Sequence, residues 1–567
     1  MRKITYFAGV LTAFAAAVAV LAAQVALTPP AIVEVQLLAI NDFHGALEPG
    51  AGANGRIANV DAGGIEYLAT HVARLEATNP NTVVVSAGDN IGGTPLLSSL
   101  SHDEASVEAL NLAGLDVSAV GNHEFDEGWW ELVRMMRGGC HPVDGCQDGT
   151  PYDGTRFTYL GANVTLDPRK ADADALVLGG ISSTQPMPLL PAYVVREVGG
   201  VRIGFIGLVT ERAAESIMAT SVRGVIFGPE AEAANEAARQ LRQRGVGTII
   251  VLTHEGGTPR ASDINGCGLS QNFVEMVNAM SDDIDVVVSG HTHTAYNCTI
   301  GDKLVTSAAS SGRLVTDIDL RIQRSDGRVV SKTARNVPVT RDVEKHAGAS
   351  ALLAHYRPVA EKVGNRQVGT VSASLVRAAN DAGESALGDV IADSMLEVAN
   401  RTPGTDAVVA FMNSGGIRAD IARPGITAPS PVTFAQLFEV LPFGNIVIVK
   451  TLTGEAIIQT LEQQFGAERS RMLQVSRGFS YGYDSSMPAG QRIDRASVRI
   501  NGMPLVPSQR YRVASIDFVW NRGDGLEAMA TATDPVIVGV DVEVFADYFA
   551  TRSPVAAGPR DRIRKVR

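Results

Sequence analysis

The chain has 567 residues, of which 45% are hydrophobic and 19% are charged, and its formal net charge is −12. This composition is ordinary for a globular protein, and the length predicts two to four domains. The acidic balance argues against a nucleic-acid polymer as partner, because such a surface would show basic patches. It excludes no small anionic substrate, since bound metal ions can make a pocket locally positive.

The N-terminus has the pattern of a secretory signal peptide. Arg2 and Lys3 precede a long apolar run, and small residues near positions 22–26 are followed by two prolines. We expect residues 1–26 to be removed, which predicts a periplasmic or secreted protein with no membrane segment after cleavage. An uncleaved membrane anchor is the alternative, because the run approaches the roughly 20 residues that span a bilayer.

Four cysteines occur, at Cys140, Cys146, Cys267 and Cys298. Four cysteines allow three pairings, and disulfides are the default state in an exported protein. We predict the local pairs Cys140–Cys146 and Cys267–Cys298, with free buried thiols as the alternative. No CxxC spacing is present, so the sequence does not suggest a thiolate zinc site.

Residues 31–340 alternate short apolar runs with helix-like segments. The clearest predicted strands are VEVQLLAI, TVVVSAG, DVSAVG, VRIGFIGL, GTIIVLT and DIDVVVSG. Runs that are apolar on both faces fit a sheet that is covered on both sides. Helix candidates such as PEAEAANEAARQLRQRG lie between them, which indicates a layered α/β domain.

A second unit is predicted beyond a connecting helix. Residues 341–364 are charged and Ala-rich, and we interpret them as a linker helix at a domain boundary. Residues 365–567 contain helix candidates such as ESALGDVIADSMLEVA and strand candidates such as TDAVVAFMN and RYRVASIDFVW. This mixture indicates an α+β domain.

Metal-ligand-type residues follow five of the predicted strands of the first domain. In open α/β sheets, ligands bind at the carboxyl ends of strands. Each residue alone could be a helix cap, a turn residue or a structural histidine, but core packing does not explain five such strand ends. The candidate metal ligands are Asp42, His44, Asp89, Asn122, His254, His291 and His293.

Seven ligands are too many for one first-row ion, so we predict two divalent ions with Asp89 as the bridging candidate. Mixed nitrogen and oxygen ligands suit Zn, Mn, Fe, Co or Ni, whereas Ca²⁺ sites use oxygen only. Two ions bring four positive charges, and only Asp42 and Asp89 are carboxylates. The surplus of about two charges favours an anion, and paired ions promote hydrolysis of phosphate esters.

These motifs resemble a known family. NDFHG, SAGDN, GNHEFD, THEG and GHTH, in this order, resemble the calcineurin-like metallophosphoesterases. NSGGIR, LPFGN, LQVS and NRGDG resemble the C-terminal domain of the 5'-nucleotidase/UDP-sugar hydrolase family. The resemblance implies an α/β fold in which a four-layer α/β/β/α metallophosphoesterase domain is joined by a linker helix to an α+β nucleotidase domain.

The resemblance also implies roles in the first domain. Asp42, His44 and His293 would hold one ion, Asn122, His254 and His291 would hold the other, and Asp89 would bridge them. His123 and Asp126 would form a catalytic dyad, in which His123 stabilises or protonates the reacting phosphate ester and Asp126 orients the imidazole. We expect Glu124 and Glu127 to lie on a solvated turn without a role.

In the second domain, the resemblance implies that Phe443 and Phe518 stack on a nucleobase. Asp524 would accept hydrogen bonds from ribose hydroxyls. Asn413 and Arg418 would hold the substrate, since an arginine fork pairs with anionic groups. Arg377 would be a third contact, although its surroundings depart from the shorter family pattern.

The sequence therefore predicts an exported, two-metal phosphohydrolase that removes 5'-phosphate from nucleoside monophosphates, and possible further substrates are UDP-sugars and nucleoside di- and triphosphates. A 2',3'-cyclic phosphodiesterase/3'-nucleotidase is one alternative, and a non-catalytic nucleotide-binding protein is another. Because metals and nucleoside pocket lie on different domains, we also expect the domains to rotate relative to each other. The sequence does not predict the oligomeric state.

Overall fold

The computed structural model describes residues 31–50, 55–260, 263–421, 429–466 and 470–567. The predicted signal peptide, residues 1–26, lies outside these ranges. No helix within the described ranges combines the length and the apolar character that crossing a bilayer requires.

Two six-stranded sheets form the first domain. In spatial order, the first contains Val329–Pro338, Leu314–Gln323, Ile32–Ile40, Thr82–Ser86, Leu115–Ala119 and Thr158–Leu160. The second contains Ala295–Ile300, Lys303–Ala308, Val286–Ser289, Thr248–His254, Val201–Val209 and Tyr193–Val198. The central strands of each sheet run parallel, so their carboxyl ends lie at a common edge.

The strands are apolar on both faces because each sheet is covered twice. Along Ile32–Ile40, Leu37 faces the core between the two sheets, whereas Leu38 faces the core under the helices. The helices over the first sheet are Ile65–Glu76, Glu104–Leu112, Trp129–Arg137 and Ala173–Leu178. The helices over the second are Glu230–Gln243 and Gln271–Ala279. The predicted four-layer α/β/β/α arrangement is confirmed.

The smaller elements of this domain lie at its periphery. A short helix spans Leu96–Ser99, and the remaining strands are Arg56–Ile57, Val60–Asp61, Val164–Leu166, Met187–Pro188 and Val225–Phe227. Both predicted disulfides, Cys140–Cys146 and Cys267–Cys298, are present.

The helix Ala347–Gly364 lies within the segment predicted to link the two domains. Leu353 and Tyr356 join the core under the first sheet. At the other end, Gly364 lies close to Ala435 of the second domain and Leu96 of the first. The helix therefore packs mainly on the first domain and contacts the second at its C-terminal end.

The second domain is α+β, as predicted. A five-stranded sheet contains, in spatial order, Leu473–Val475, Val409–Asn413, Arg510–Ile516, Ile446–Thr453 and Thr533–Val540, and a four-stranded sheet contains Met503–Pro504, Ile493–Ile500, Phe479–Tyr483 and Ile563–Lys565. Strands Gln367–Val371 and Ser430–Thr433 pair separately. The helices are Ala386–Ala399, Phe434–Val440, Gly454–Gln463, Asp517–Trp520 and Asp541–Arg552.

One predicted strand is shorter than the sequence indicates. RYRVASIDFVW reads as a single apolar strand, but the strand ends at Ile516 and Asp517–Trp520 form a helical turn. The Asp517 carboxylate accepts the backbone N–H of Ile446 at 3.1 Å and that of Phe518 at 2.9 Å. The bond to Phe518 satisfies a backbone N–H group at the start of the helical turn, where the chain leaves the sheet.

Candidate functional site

The carboxyl ends of the parallel strands meet at one edge of the sandwich. Register aligns them: Ile40 pairs with Ser86 and Ser86 with Ser118 in the first sheet, and Thr253 pairs with Ser289 in the second. The segments that follow these strands carry six of the seven predicted metal ligands, and the seventh, His254, is the last residue of its strand. They therefore come together because of the sheet topology, although they are far apart in the chain.

Five of the seven ligands have a left-handed backbone. The φ angles are 50° at Asp42, 47° at His44, 52° at Asp89, 68° at His291 and 55° at His293. Residues other than glycine rarely adopt such angles, and each costs on the order of 1–3 kcal/mol where it is imposed. The surrounding fold thus holds these side chains in a fixed, inward-turning geometry.

Two of the imidazoles are oriented by carbonyl groups of the backbone. His44 Nδ1 lies 2.8 Å from the Gly92 carbonyl oxygen, and His254 Nδ1 lies 2.8 Å from that of Ala87. Each contact assigns the proton to Nδ1, which leaves Nε2 as a lone-pair donor. Metal-bound histidines are usually held in this way.

The free Nε2 atoms surround two buried carboxylates. Asp89 Oδ2 lies 2.9 Å from His254 Nε2 and 3.5 Å from His44 Nε2. Asp42 Oδ1 lies 3.2 Å from His293 Nε2 and 4.0 Å from both His44 Nε2 and His254 Nε2. Asp89 therefore touches imidazoles assigned to each of the two predicted ions, which is the position that a bridging ligand needs.

Asn122 and His291 complete the set of seven predicted metal ligands. Asn122 is buried, and its Oδ1 lies 3.0 Å from His291 Nδ1. Gly121 lies directly under the cluster, where an added side chain would overlap Asp89 Oδ1. The glycine thus permits the close approach of the two strand ends.

Burial keeps most of these imidazoles neutral. It lowers the pKa of His44 well below 6.5, that of His291 to about 4, and that of His293 below its ordinary value. Burial also acts on His254, but the carboxylates of Asp89 and Asp42 outweigh it and raise the pKa of His254 to about 10.

The cluster fits a binuclear divalent metal site. Asp42, His44, Asp89 and His293 each offer a donor atom, and these four atoms lie within 4.8 Å of one another. His254 Nε2 is fully buried and lies 2.9 Å from Asp89 Oδ2, but it forms no hydrogen bond of good geometry with any residue that the structure describes. A buried donor of this kind suits a metal ion better than a proton, and the nitrogen and oxygen set excludes thiolate-dependent sites.

The predicted dyad is present beside the cluster. His123 Nδ1 lies 2.7 Å from Asp126 Oδ2. Burial alone would lower the pKa of His123, but the Asp126 and Asp89 carboxylates outweigh it and raise the pKa. His123 does not belong to the donor cluster, although its backbone N–H donates to Asp89 Oδ1 at 2.9 Å. Its side chain is free to act on a substrate.

Glu124 is not on a solvated turn, and that expectation is wrong. Only 2% of the residue is exposed, and its carboxylate accepts the backbone N–H groups of Gly121 at 2.5 Å, Asn90 at 2.8 Å and Asp89 at 2.9 Å. The hydroxyl of Tyr159 donates to it at 3.1 Å. Burial, followed by the nearby Asp89, raises the pKa of Glu124 to about 7. Glu124 therefore ties two metal-binding segments together from beneath.

A cavity of about 650 Å³ opens between this cluster and the second domain. Its lining includes all six residues predicted to hold the nucleotide: Arg377, Asn413, Arg418, Phe443, Phe518 and Asp524. It also includes Asp89, Asn122, His123, Asp126, His291 and His293. The two groups of predicted site residues thus share one space.

The second domain lies directly against the metal-binding segments. The rings of Phe443 and His123 are stacked, with centroids 5.5 Å apart and planes 16° from parallel. Arg418 Nη2 lies 3.4 Å from His44 Nε2, and the guanidinium carbon is 5.6 Å from the centre of the Phe443 ring. The two domains are therefore in direct contact at the site.

The far end of the cavity carries a polar group of three residues. Asn413 Nδ2 donates to Asp524 Oδ2 at 3.0 Å, and Arg471 Nη1 donates to Asp524 Oδ1 at 2.9 Å. The Asn413 Oδ1 atom is buried and has no hydrogen-bond partner within the described part of the chain. Gly523 lies against Phe518, where an added side chain would overlap the ring. The group offers both donors and acceptors beside an aromatic face.

Arg377 is the most exposed of the predicted substrate contacts. Its backbone N–H donates to Asp420 Oδ1 at 2.7 Å, and its Nη1 lies 3.4 Å from the Ile417 carbonyl oxygen. It lines the cavity next to Arg418. Its position is compatible with binding an anionic group, despite the unusual sequence around it.

Sequence reasoning missed three supporting residues. Glu124 lies inside a recognised motif, but its charge suggested solvent. Asp103 is buried and holds the Gly92 N–H at 2.9 Å and the Thr94 hydroxyl at 2.6 Å. Arg471 pairs with Asp524. Only the position of Glu124 between two ligand-type residues could have signalled a role, since the other two have no motif of their own.

Two family models match the chain. Residues 35–295 match the calcineurin-like phosphoesterases, and residues 363–531 match the C-terminal domain of 5'-nucleotidases. A crystal structure of a 5'-nucleotidase precursor from Thermus thermophilus is similar over 94% of this chain and 99% of that chain, with 26% identity and a TM-score of 0.76.

Two bacterial relatives share 30% identity with the chain. Endonuclease YhcR of Bacillus subtilis matches over 94% of this chain, which spans 41% of that protein's length. Cell wall protein Lmo0130 of Listeria monocytogenes matches over 91% of this chain, which spans 67% of that protein. The similarity therefore covers both domains in each case.

Proposed function

Since the chain belongs to the family of calcineurin-like phosphoesterases that carry a 5'-nucleotidase C-terminal domain, we propose that it is an exported 5'-nucleotidase. Its substrates are nucleoside monophosphates, with nucleoside di- and triphosphates and UDP-sugars as further candidates. One observation carries the proposal: four of the seven predicted metal ligands (Asp89, Asn122, His291 and His293), the His123–Asp126 dyad, two phenylalanines and Asp524 border one cavity.

The residues of the first domain act on the phosphate. Asp42, His44 and His293 would hold one ion, Asn122, His254 and His291 would hold the other, and Asp89 would contribute to both. Bound there, two divalent ions would activate a water molecule as nucleophile and offset the negative charge of the phosphate group. His123 donates a proton or a hydrogen bond to the leaving oxygen, and Asp126 keeps the imidazole in the required orientation.

The residues of the second domain recognise the nucleoside. Phe443 and Phe518 provide ring faces for the base, and Asp524 accepts hydrogen bonds from the ribose hydroxyls. Arg418 reaches the metal-binding segment, where it meets the phosphate, and Arg377 lies at the exposed side of the same space. Asn413 fixes the Asp524 carboxylate, so it positions the ribose contact as well as lining the cavity.

Export is supported by two observations. The signal-like N-terminus precedes a chain with two disulfides, and disulfides persist in oxidising compartments. One relative is named a cell wall protein. We propose a periplasmic or extracellular location, which fits an enzyme that acts on nucleotides outside the cytoplasm.

The test is hydrolysis by the mature protein with Mn²⁺ or Zn²⁺, measured as inorganic phosphate for AMP and 3'-AMP and by chromatography of the products for the other substrates. AMP, 3'-AMP, 2',3'-cyclic AMP, UDP-glucose and single-stranded DNA are offered separately. We expect the highest kcat/KM for AMP. Asp89→Asn should abolish release together with metal binding, whereas Asp302→Asn, on an exposed turn, should change neither.

The other outcomes each point to a different function. Preference for 3'-AMP or the cyclic nucleotide indicates the 3'-nucleotidase alternative. Cleavage of DNA as the main activity indicates a nuclease, the activity in the name of the relative YhcR. Nucleotide binding without release from any substrate indicates a non-catalytic binding protein.

A further inference from the structure

Arg471 is a charged residue in the wall of the cavity, beside Asp524. It belongs to the second domain, and its side chain is 29% exposed. Its Nη1 donates to Asp524 Oδ1 at 2.9 Å. A role for Arg471 at the sugar therefore rests on the proposed function, in which Asp524 accepts hydrogen bonds from the ribose hydroxyls.

The fold holds the backbone at Arg471 in place. Gln464 is buried, and its carbonyl oxygen accepts the Arg471 N–H at 2.8 Å, while its side-chain oxygen accepts the Leu473 N–H at 3.0 Å. Leu473 in turn pairs with Asn413 across the sheet. Gln464 therefore fixes Arg471 two residues before the strand that lies beside Asn413.

Asp524 is held in one orientation by its backbone and by two donors. Its φ is 58°, in the left-handed region, and its side chain is only 8% exposed. Asn413 Nδ2 donates to Oδ2 at 3.0 Å, while Arg471 donates to Oδ1. An ionised carboxylate can accept about four hydrogen bonds, so each oxygen keeps capacity for a hydroxyl of the substrate.

Asp524 and Arg471 together present an acceptor and a donor to one ligand group. An ionised carboxylate only accepts hydrogen bonds, whereas a guanidinium only donates them, through five N–H groups. A hydroxyl does both, so a sugar hydroxyl can donate to Asp524 and accept from Arg471 at the same time. A sugar that lacks this hydroxyl forfeits both bonds, and sites built to bind a hydroxyl discriminate strongly against such analogues.

Arg471 also balances the charge of Asp524. A carboxylate alone in the wall of the cavity would repel an anionic nucleotide, and a buried charge without a partner is costly. Arg522 is closer to Asp524 in the chain, but its Nε lies 3.4 Å from Glu527 and its side chain is 60% exposed. Arg471, rather than this sequence neighbour, therefore lets Asp524 face a nucleotide.

We propose that Arg471 is a specificity-determining residue through which the enzyme selects ribonucleotides over 2'-deoxyribonucleotides. It orients the Asp524 carboxylate and donates to the same ribose hydroxyl from which Asp524 accepts. Neither residue belongs to the metal-binding set or to the dyad. The effect of Arg471 therefore falls on substrate binding, and its loss raises KM while kcat stays unchanged.

The first test measures nucleoside binding without turnover. Adenosine and 2'-deoxyadenosine, which carry no phosphate, are titrated calorimetrically into the mature, metal-loaded protein. We expect the unaltered protein to bind adenosine at least about tenfold more tightly, and Arg471→Met to bind both nucleosides with nearly equal Kd.

The control for this titration is Arg477→Met, because Arg477 pairs with Glu397 instead; it should keep the preference for adenosine. Circular dichroism confirms that the variants are folded, and Arg471→Leu provides a second variant of the same kind. Equal binding of both nucleosides by the unaltered protein, binding of neither, or an unchanged preference in the folded Arg471 variants would overturn the proposal.

The second test compares AMP and 2'-deoxy-AMP as substrates. Arg471→Met should raise KM for AMP by about 10–150-fold, the value of one hydrogen bond to a charged group, and bring the kcat/KM values of the two substrates close together. A loss of kcat with unchanged KM would place Arg471 in the chemical step and contradict the proposal. If neither substrate is hydrolysed, the proposed function is wrong, whereas a retained preference for adenosine in the titration still supports the role of Arg471.

Discussion

Substitution of Glu124 by glutamine tests the support beneath the metal-binding segments. One carboxylate oxygen accepts the N–H groups of Gly121 and Asp89, and the other accepts that of Asn90 and the Tyr159 hydroxyl. Glutamine keeps one oxygen, so its amide N–H₂ meets the Asn90 N–H and leaves this buried donor without an acceptor. Tyr159 can rotate its hydroxyl and accept instead.

The magnitude follows from these bonds. An unsatisfied buried donor costs about 1–3 kcal/mol. The charge itself adds no stability, since burial raises the pKa of Glu124 and so disfavours the carboxylate in the folded protein. The expected loss is therefore about 1–3 kcal/mol, out of the roughly 5–15 kcal/mol that stabilises a typical domain.

The assay is urea unfolding at pH 8, where the Glu124 carboxylate is charged, together with the metal content of the folded protein. We expect Glu124→Gln to unfold at a clearly lower urea concentration and to lose bound metal, since the Asp89 and Asn122 segments share this anchor. Glu232→Gln, on an exposed helix position, is the matched control. A loss below about 1 kcal/mol with full metal content would refute the role assigned to Glu124.

Three further predictions concern the dyad, the base pocket and the second domain. His123→Asn should leave the metal content unchanged but reduce kcat for AMP by about 10²–10⁴-fold, and an emptied metal site would contradict the separation of roles. Phe518→Ala should reduce kcat/KM for AMP by about 5–150-fold, from a stacking energy of about 1–3 kcal/mol, while hydrolysis of p-nitrophenyl phosphate stays constant; an equal loss on both substrates would argue against base stacking. Burial raises the pKa of the Asp541 carboxyl group from 3.8 to about 7, so the folded protein binds the carboxyl proton more tightly than the unfolded chain does. The stability that this binding contributes is complete below about pH 4 and is lost as the pH rises to about 7. Urea titrations across this range should show a decline of up to about 1.4 kcal/mol per pH unit that Asp541→Asn lacks, and parallel curves would exclude the effect.

The sequence predicts the layered fold because its strands are buried on both faces and its ligands follow strand ends. The same pattern places the seven donors at one edge, since parallel strands share a direction. It does not reveal Glu124, because a carboxylate that accepts backbone N–H groups looks in sequence like any charged turn residue. Arg471 is equally hidden, since its partner Asp524 is distant in the chain.

The end of the strand at Ile516 has a similar explanation. Apolar residues continue to Trp520, so periodicity alone extends the strand. The Asp517 carboxylate decides the outcome through hydrogen bonds to Ile446 and Phe518. The placement of the second domain against the site also depends on contacts such as Phe443 with His123, which no local pattern encodes.

The left-handed backbone at five of the donor positions limits how this centre can be altered. Asp, Asn and His tolerate such angles better than other residues with side chains, and they are also suitable metal ligands. Exchange of a donor for glutamate, glutamine or tyrosine keeps a metal-binding atom but places a less tolerant residue on a constrained backbone. Evolution or engineering of metal preference at these five positions is therefore confined to a narrow set of residues. A wider range of substitutions is open at Asn122 and His254, which are not among the left-handed positions.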